Sequence, residues 1–366
     1  MAELRIEQLL REMVNRKASD LHLRVGVPPV YRIHGRLQRL FDIRIDSAMM
    51  DSFLDDIMNR DQKQRFEANK ECDFAVGARD MGRFRVNVFR QRGTIAVVIR
   101  HIKATIPPFE ELHLPEVIRD LALTKRGLVL VTGTTGSGKS TTLASMIDYI
   151  NQKESVNVIT VEDPIEYLYK DNVAIISQRE IGVDTLSYAN ALRAALRQDP
   201  DVLLVGEIRD LETMQIALTA ADTGHMVFAT IHTTNAVETI HRVLSMYPPH
   251  QHDEVRLLLA EVLAGIISLR LLPTKDGKGR VPAAEILVNT GAIKEYIQDK
   301  NKIDMVEQAV AEGHIQYHSQ TFDQALLELY QNEQISLETA MNAATNRDDF
   351  DLKIRGISGT SDRGWM

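Results

Sequence analysis

Gly133-Thr134-Thr135-Gly136-Ser137-Gly138-Lys139-Ser140-Thr141 lies between an apolar run, Gly127-Leu-Val-Leu-Val-Thr132, and a stretch of helical spacing that reaches Gln152. The glycines let backbone N–H groups turn inward around phosphate oxygens. The lysine neutralises charge between the terminal phosphates, and the Ser140 hydroxyl is placed to ligate Mg²⁺. A helix that starts just after the loop adds the positive end of its dipole. Gly-rich runs also occur as ordinary turns. The strand before and the helix after decide for a nucleotide site, with ATP and Mg²⁺ as the expected ligands.

Outward from this loop, residues 117–290 alternate strand and helix patterns, which predicts an α/β domain with a mostly parallel sheet. Strands are expected near 128–132, 156–161, 173–177, 202–205 and 226–231. The longest apolar stretch, 255–273, is broken by Glu261 and Arg270 and reads as a buried helix, too interrupted to span a membrane. Residues 1–102 read as a small α+β domain. Helical spacing covers 3–16 and 49–66, and period-two alternation covers 21–25, 30–33, 72–76, 82–89 and 95–102. Residues 103–116, with Pro107-Pro108, read as a linker. Residues 291–357 read as helical, with breaks at Gly313-His314 and Gln334-Ile335-Ser336, and 358–366 as a frayed polar tail.

Composition fits a soluble globular protein, and no apolar block suggests a leader or a transmembrane segment. The single cysteine, Cys72, excludes an internal disulfide and a multi-cysteine zinc site, and fits a reducing cytoplasm. A net charge of -8 argues against nucleic acid as a partner. The charge is unevenly spread. Residues 1–100 hold 19 Lys and Arg against 14 Asp and Glu, while the rest holds 24 against 37. A cationic surface could therefore meet an anionic one, within or between subunits.

Three segments beyond the loop carry suitable chemistry, each at the end of an expected strand, where open α/β sheets bind ligands. Ile159-Thr-Val-Glu162-Asp163-Pro164 ends in two carboxylates. Val202-Leu-Leu-Val-Gly206-Glu207 leads four apolar residues into one acid, with Gly206 where many phosphate-loop ATPases have Asp. Val227-Phe-Ala-Thr-Ile-His232 ends in an imidazole that could sense a phosphate or orient a carboxylate, and His225 could belong to the same network. Glu162 is the preferred water-activating group. Ser140, Glu207 and Asp163 are the candidate metal residues, with Glu207 acting through water; the roles of Glu162 and Glu207 are exchangeable at this level. Arg83 and Arg85 share a strand face, and Arg193 and Arg197 a helix face. Each pair is a candidate clamp on transition-state charge or an interface ion-pairing set.

The phosphate loop, Glu162-Asp-Pro-Ile-Glu166, Gly206-Glu-Ile-Arg-Asp210 and the His232 segment, in that order, resemble the secretion and pilus motor ATPases. Ala18-Ser-Asp-Leu-His22, Gly82-Arg-Phe-Arg-Val-Asn87 and Gln320-Thr-Phe-Asp-Gln324 extend the resemblance over about residues 1–357. Within that family the chain looks like the retraction motors of type IV pili. Assembly and type II secretion ATPases usually add an N-terminal region and a four-cysteine insert. The resemblance implies a PAS-like N-terminal domain, a RecA-like ATPase domain and a helical C-terminal segment. It also implies a homohexameric ring in the cytoplasm, docked on the inner-membrane pilus platform and acting indirectly on pilin. Ala292-Ile-Lys-Glu-Tyr296 departs from the Ala-Ile-Arg-Asn-Leu of many retraction motors, so main and accessory motors are not separated. A phosphotransferase is the non-motor alternative.

Overall fold

The computed structural model describes residues 4–355 apart from His34, Asp80, Lys103 and Ala104; the tail at 358–366 lies outside these. The chain forms two compact units, one ending at Thr105 and including Glu166–Leu168, the other holding the remainder.

The first unit is an antiparallel sheet with three helices, α1 (Ile6–Asn15), α2 (Ser47–Ile57) and α3 (Arg60–Asn69). Its strands are β1 (Asp20–Arg24), β2 (Val30–Ile33), β3 (Arg36–Arg39), β4 (Glu71–Ala78), β5 (Gly82–Gln91) and β6 (Thr94–Ile102), in the order β3-β2-β1-β6-β5-β4. Alternation along β5 buries Phe84, Val86 and Val88 and leaves Arg83 and Arg85 on the opposite face. The single helix expected over 49–66 is two helices. Asn59 caps the second, its side chain accepting from Gln62 N–H while Gln62 reaches back to Asn59 N–H, both at 2.9 Å. β3 was not legible because all four of its residues are exposed and show no alternation.

The second unit is α/β. Its strands are β7 (Gly127–Thr132), β8 (Asn157–Glu162), β9 (Ile175–Glu180), β10 (Val202–Val205), β11 (Met226–Ile231), β12 (Leu263–Pro273) and β13 (Arg280–Val288). They lie in the order β13-β12-β7-β11-β10-β8-β9, all parallel except the β12–β13 pair. The helices are α4 (Val117–Ala122), α5 (Lys139–Lys153), α6 (Tyr188–Ala195), α7 (Leu211–Asp222), α8 (Ala236–Ser245), α9 (His252–Val262) and α10 (Gly291–Gln298). Five more follow: α11 (Val306–Glu312), α12 (His314–Tyr317), α13 (Phe322–Gln331), α14 (Leu337–Ala343) and α15 (Arg347–Ile354). Every residue of β7, β10 and β11 is buried, as expected of central parallel strands covered on both faces.

Two expectations for this second unit do not hold. The stretch 255–273 is not one buried helix. It is helix α9 up to Val262, then strand β12, which pairs parallel with β7 and antiparallel with β13. Gly265 marks the change: a Cβ there would sit 2.8 Å from the Leu287 carbonyl oxygen of β13, a closeness only glycine tolerates. The strand expected at 173–177 begins at Ile175, because Asn151 bends the chain ahead of it. Its carbonyl accepts Val173 N–H at 3.0 Å and its side chain accepts Asn172 N–H at 3.1 Å.

Residues 106–116 pack onto α5. Phe109 is buried beside Tyr149 at 6.1 Å between ring centroids, and Ser145 Oγ donates to the Pro107 carbonyl at 2.8 Å. Ile293 and Ile297 of α10 join the core under α7–α9, while Phe322, Leu326 and Phe350 form a satellite core over Val281 and Ala283 of β13. Among the described residues no helix is long and apolar enough to cross a membrane.

Candidate nucleotide site

Chain order and spatial order differ at the C-terminal edge of the sheet. The phosphate loop follows β7, His232 follows β11, Glu207 follows β10 and Glu162 ends β8, and these four strands are consecutive neighbours. Four segments scattered over a hundred residues are thus lined up on one rim.

The loop has the shape its sequence requires. Gly133, Gly136 and Gly138 all have positive φ. A Cβ on Gly133 would lie 2.4 Å from Ser137 Oγ and 2.5 Å from the Leu269 carbonyl oxygen, so the loop is seated tightly against β12. Cβ atoms on Gly136 and Gly138 would meet nothing within 4 Å, which leaves the other side open for an anion. Lys139 begins α5, is buried, and donates to the carbonyls of Gly133 at 2.7 Å and Thr134 at 3.0 Å. Ser137 Oγ is buried with no hydrogen-bond partner. An orphan hydroxyl, three left-handed glycines and a lysine at a helix N-terminus fit a triphosphate.

Glu207 is the electrostatic centre of the rim. Its Oε2 lies 2.7 Å from Arg209 Nη2 and its Oε1 3.0 Å from His232 Nε2, with the carboxyl 17% exposed. Burial alone would raise its pKa. The Arg209 hydrogen bond and the charges of His232, Arg209 and Lys139 outweigh burial and hold it below the usual carboxylate range. Glu162 Oε1 accepts from Thr160 Oγ1 at 2.6 Å and from Gln178 Nε2 at 3.3 Å. Asp163, at the turn after β8, is exposed.

Tyr188 and Arg209 were missed by sequence reasoning. Tyr188 stands at the start of α6. Burial first, then the charges of Asp163 and Glu207, push its hydroxyl pKa well up, so the phenol stays protonated among carboxylates. Nothing in its local sequence announces this. Arg209 had a signal, since Glu207-Ile-Arg209 spacing puts both on one side. Tyr188 also accounts for Gly206. A Cβ there would lie 3.1 Å from Tyr188 Oη and 3.2 Å from both Glu162 Cα and the Val161 carbonyl oxygen. The slot where many phosphate-loop ATPases carry aspartate is filled. Gly206→Ala should therefore cost about 1–3 kcal/mol of stability and lower any turnover by displacing the Glu162 backbone. Chemical denaturation beside phosphate release checks this; an unaltered midpoint and rate would show that the slot has room.

The arginines divide. Arg83 and Arg85 belong to the first unit, and Arg85 Nε lies 3.9 Å from Asp73 on β4. Arg193 is on α6, but Arg197 lies beyond its end, so they do not share a helix face as expected. Arg193 pairs with Glu212, and Arg197 donates to the Arg193 carbonyl at 2.8 Å. His225 is not in the His232 network. It precedes β11 while His232 follows it, about 20 Å along the strand, and bonds the Ala220 carbonyl at 2.9 Å.

Glu285, on the unanticipated β13, sits behind the rim. Burial pushes its carboxyl up to about 7, against the hydrogen bond from Ala236 N–H and the charge of Arg270; Glu307 adds to the rise, and His241 lines the same cavity. A carboxyl raised in the folded state stabilises fully below its unfolded value near 4.5, and that stability is lost as pH rises through about 7. The loss amounts to about 3 kcal/mol at most. Wild-type denaturation midpoints should fall between pH 5 and 7.5 by more than those of Glu285→Gln; parallel curves would contradict this.

Comparison with known proteins gives the same picture. The family model described as "Type II/IV secretion system protein" matches residues 1–355. The type IV pilus retraction ATPase PilT of Pseudomonas aeruginosa is 42% identical over 345 residues, 94% of this chain and 99% of that protein. The type IV pilus ATPase PilU of the same organism is 41% identical over 352 residues, 96% and 92% of the two chains. A crystal structure of the pilus retraction motor PilT with bound ADP superposes with a TM-score of 0.89 at 47% identity, covering 95% of this chain and 99% of that one.

Proposed function

The chain belongs to the type II/IV secretion system protein family, and from that membership we propose that it is a motor ATPase that draws ATP hydrolysis into the retraction of type IV pili. The observation that carries the reading is the rim itself: a phosphate loop, an imidazole and two glutamates on four neighbouring parallel strands.

Loop amides and Lys139 hold the triphosphate, and the helix α5 dipole faces it. Ser140, with Glu207 and Asp163 acting through water, would hold Mg²⁺, which when bound neutralises charge on the terminal phosphate oxygens. Strand spacing favours different tasks for the two glutamates. Glu207 stands two strands from β7, about 10 Å, and Glu162 three strands, about 14 Å, so Glu162 lies further out along an extended triphosphate. Glu207, held ionised by Arg209 and His232, is a poor proton acceptor and suits the metal's water shell. Glu162 then orients the attacking water and takes its proton. His232 fixes Glu207 through the 3.0 Å contact and so links its position to the terminal phosphate.

Arg83 and Arg85 act on the nucleotide from a neighbouring subunit of a homohexamer. The cationic first unit and anionic remainder favour such packing. Mixed assemblies of Arg83→Ala/Arg85→Ala with Lys139→Ala should regain turnover that neither has alone; strict additivity would remove the arginines from the reaction. The ring works at the cytoplasmic face of the inner membrane on the pilus platform protein, and through it on pilin. The purified protein should release phosphate from Mg-ATP, and a strain lacking the gene should carry long fibres that never shorten. Normal shortening in that strain would assign the motor to another task.

A further inference from the structure

We propose that Glu285 is a positioning residue for ATP cleavage, tying the segment that carries His232 to the strand that carries the phosphate loop. This rests on the ATPase reading above.

Thr132, Ser268 and Glu285 are direct cross-strand partners on β7, β12 and β13, one row of three polar side chains buried in an apolar sheet. Such a row persists only when its members bond to one another. Thr132 Oγ1 donates to Ser268 Oγ at 3.0 Å, and Ser268 Oγ donates to Glu285 Oε1 at 3.5 Å. The same Oε1 accepts the N–H of Ala236, the first residue of α8, at 2.6 Å.

The two ends of this row are the two sides of the nucleotide site. Thr132 immediately precedes Gly133, and the first glycine itself packs on Leu269 next to Ser268. Ala236 follows His232 by four residues. Asn235 caps α8 by accepting Glu238 N–H at 2.7 Å, and Glu285 takes the separate first-turn donor, Ala236 N–H. What Glu285 adds is a fixed distance between imidazole and phosphate loop. The C-terminal helices hook into the same strand face. Two residues beyond Ser268, Arg270 stacks 3.7 Å from the Phe322 ring and donates to the Ala343 carbonyl at 2.6 Å. A cavity of about 430 Å³ beside Glu285, lined by Arg270, His241 and Phe322, gives this junction room to rearrange.

The test is steady-state phosphate release and Mg-ADP affinity of the full-length protein and its Glu285→Ala, Glu285→Gln and Ser268→Ala variants. Glu285→Ala should lower kcat at least about tenfold, with KM and ADP affinity within about threefold. Glu285→Gln keeps an acceptor oxygen and should recover most of the loss. Adding Ser268→Ala to Glu285→Ala should cost nothing more, as expected of one chain of contacts. Unchanged kcat, parallel loss of kcat and ADP binding, or multiplying single effects would each overturn the proposal. Where Glu285→Ala does not melt cooperatively, Ser268→Ala decides: reduced kcat at constant KM supports it, and wild-type kcat overturns it. Wild-type protein that binds Mg-ADP yet releases no phosphate sinks the ATPase reading as well. Wild-type turnover with indifferent variants sinks this inference alone.

Discussion

Lys139→Ala should abolish phosphate release, lowering it at least about 100-fold, while the protein stays folded. The lysine is buried at the N-terminus of α5, and its ammonium bonds two loop carbonyls. With nucleotide present, that charge would turn to the terminal phosphates, where negative charge builds as the bond breaks. Losing one preorganised donor to such charge costs about 3–4 kcal/mol, which is two to three powers of ten in rate. The fold should survive because the sheet core does not use this side chain: Leu128, Leu130, Val205 and Ala229 pack without it. Phosphate release and a thermal melt, measured together, separate the two effects. A variant that melts normally and turns over normally would place the chemistry elsewhere.

Glu207→Gln should separate activity from stability even more cleanly. Arg209 is 69% exposed and His232 48% exposed, so the contacts of Glu207 with them are screened by water. Their loss should cost about 1 kcal/mol of folding stability or less. Turnover should fall about 100-fold or more if Glu207 takes the proposed place in the metal's water shell, because an amide would neither anchor that shell nor keep His232 aligned. Mg-ADP should still bind, since on the proposed reading loop amides and Lys139 would supply most of its contacts. If kcat stays within threefold of wild type, Glu207 is a surface ion-pair residue only.

The sequence made the phosphate loop, the rim strands and their terminal residues readable, because each is a local pattern: glycines at fixed spacing, or four to six apolar residues ending in an acid or imidazole. Strands β12 and β13 escaped. Residues 255–273 are mostly apolar across a helix and a strand, broken only by scattered charges such as Glu261 and Arg270, and Gly265, needed for close approach to β13, is the one sign of the change. Tyr188 and Glu285 escaped for a different reason. One enters the site from a helix start and the other from an edge strand, so their roles exist only after the sheet is assembled. The departure at Gly206 was visible, but its cause, a slot already filled by Tyr188 and the Glu162 backbone, is tertiary. Arg83 and Arg85 were visible as a pair on one strand face, and they belong to a different unit from the loop.

Acid and imidazole groups at neighbouring strand ends should converge on a triphosphate held by loop amides. A crystal structure of the assembled protein with Mg²⁺ and a non-hydrolysable ATP analogue tests it most directly. The terminal phosphate is expected against Lys139, with the Glu162 and Glu207 carboxylates each within about 6 Å, one water away. A terminal phosphate more than about 10 Å from Glu162, Glu207 and His232 alike, too far for a bridging water, would contradict it.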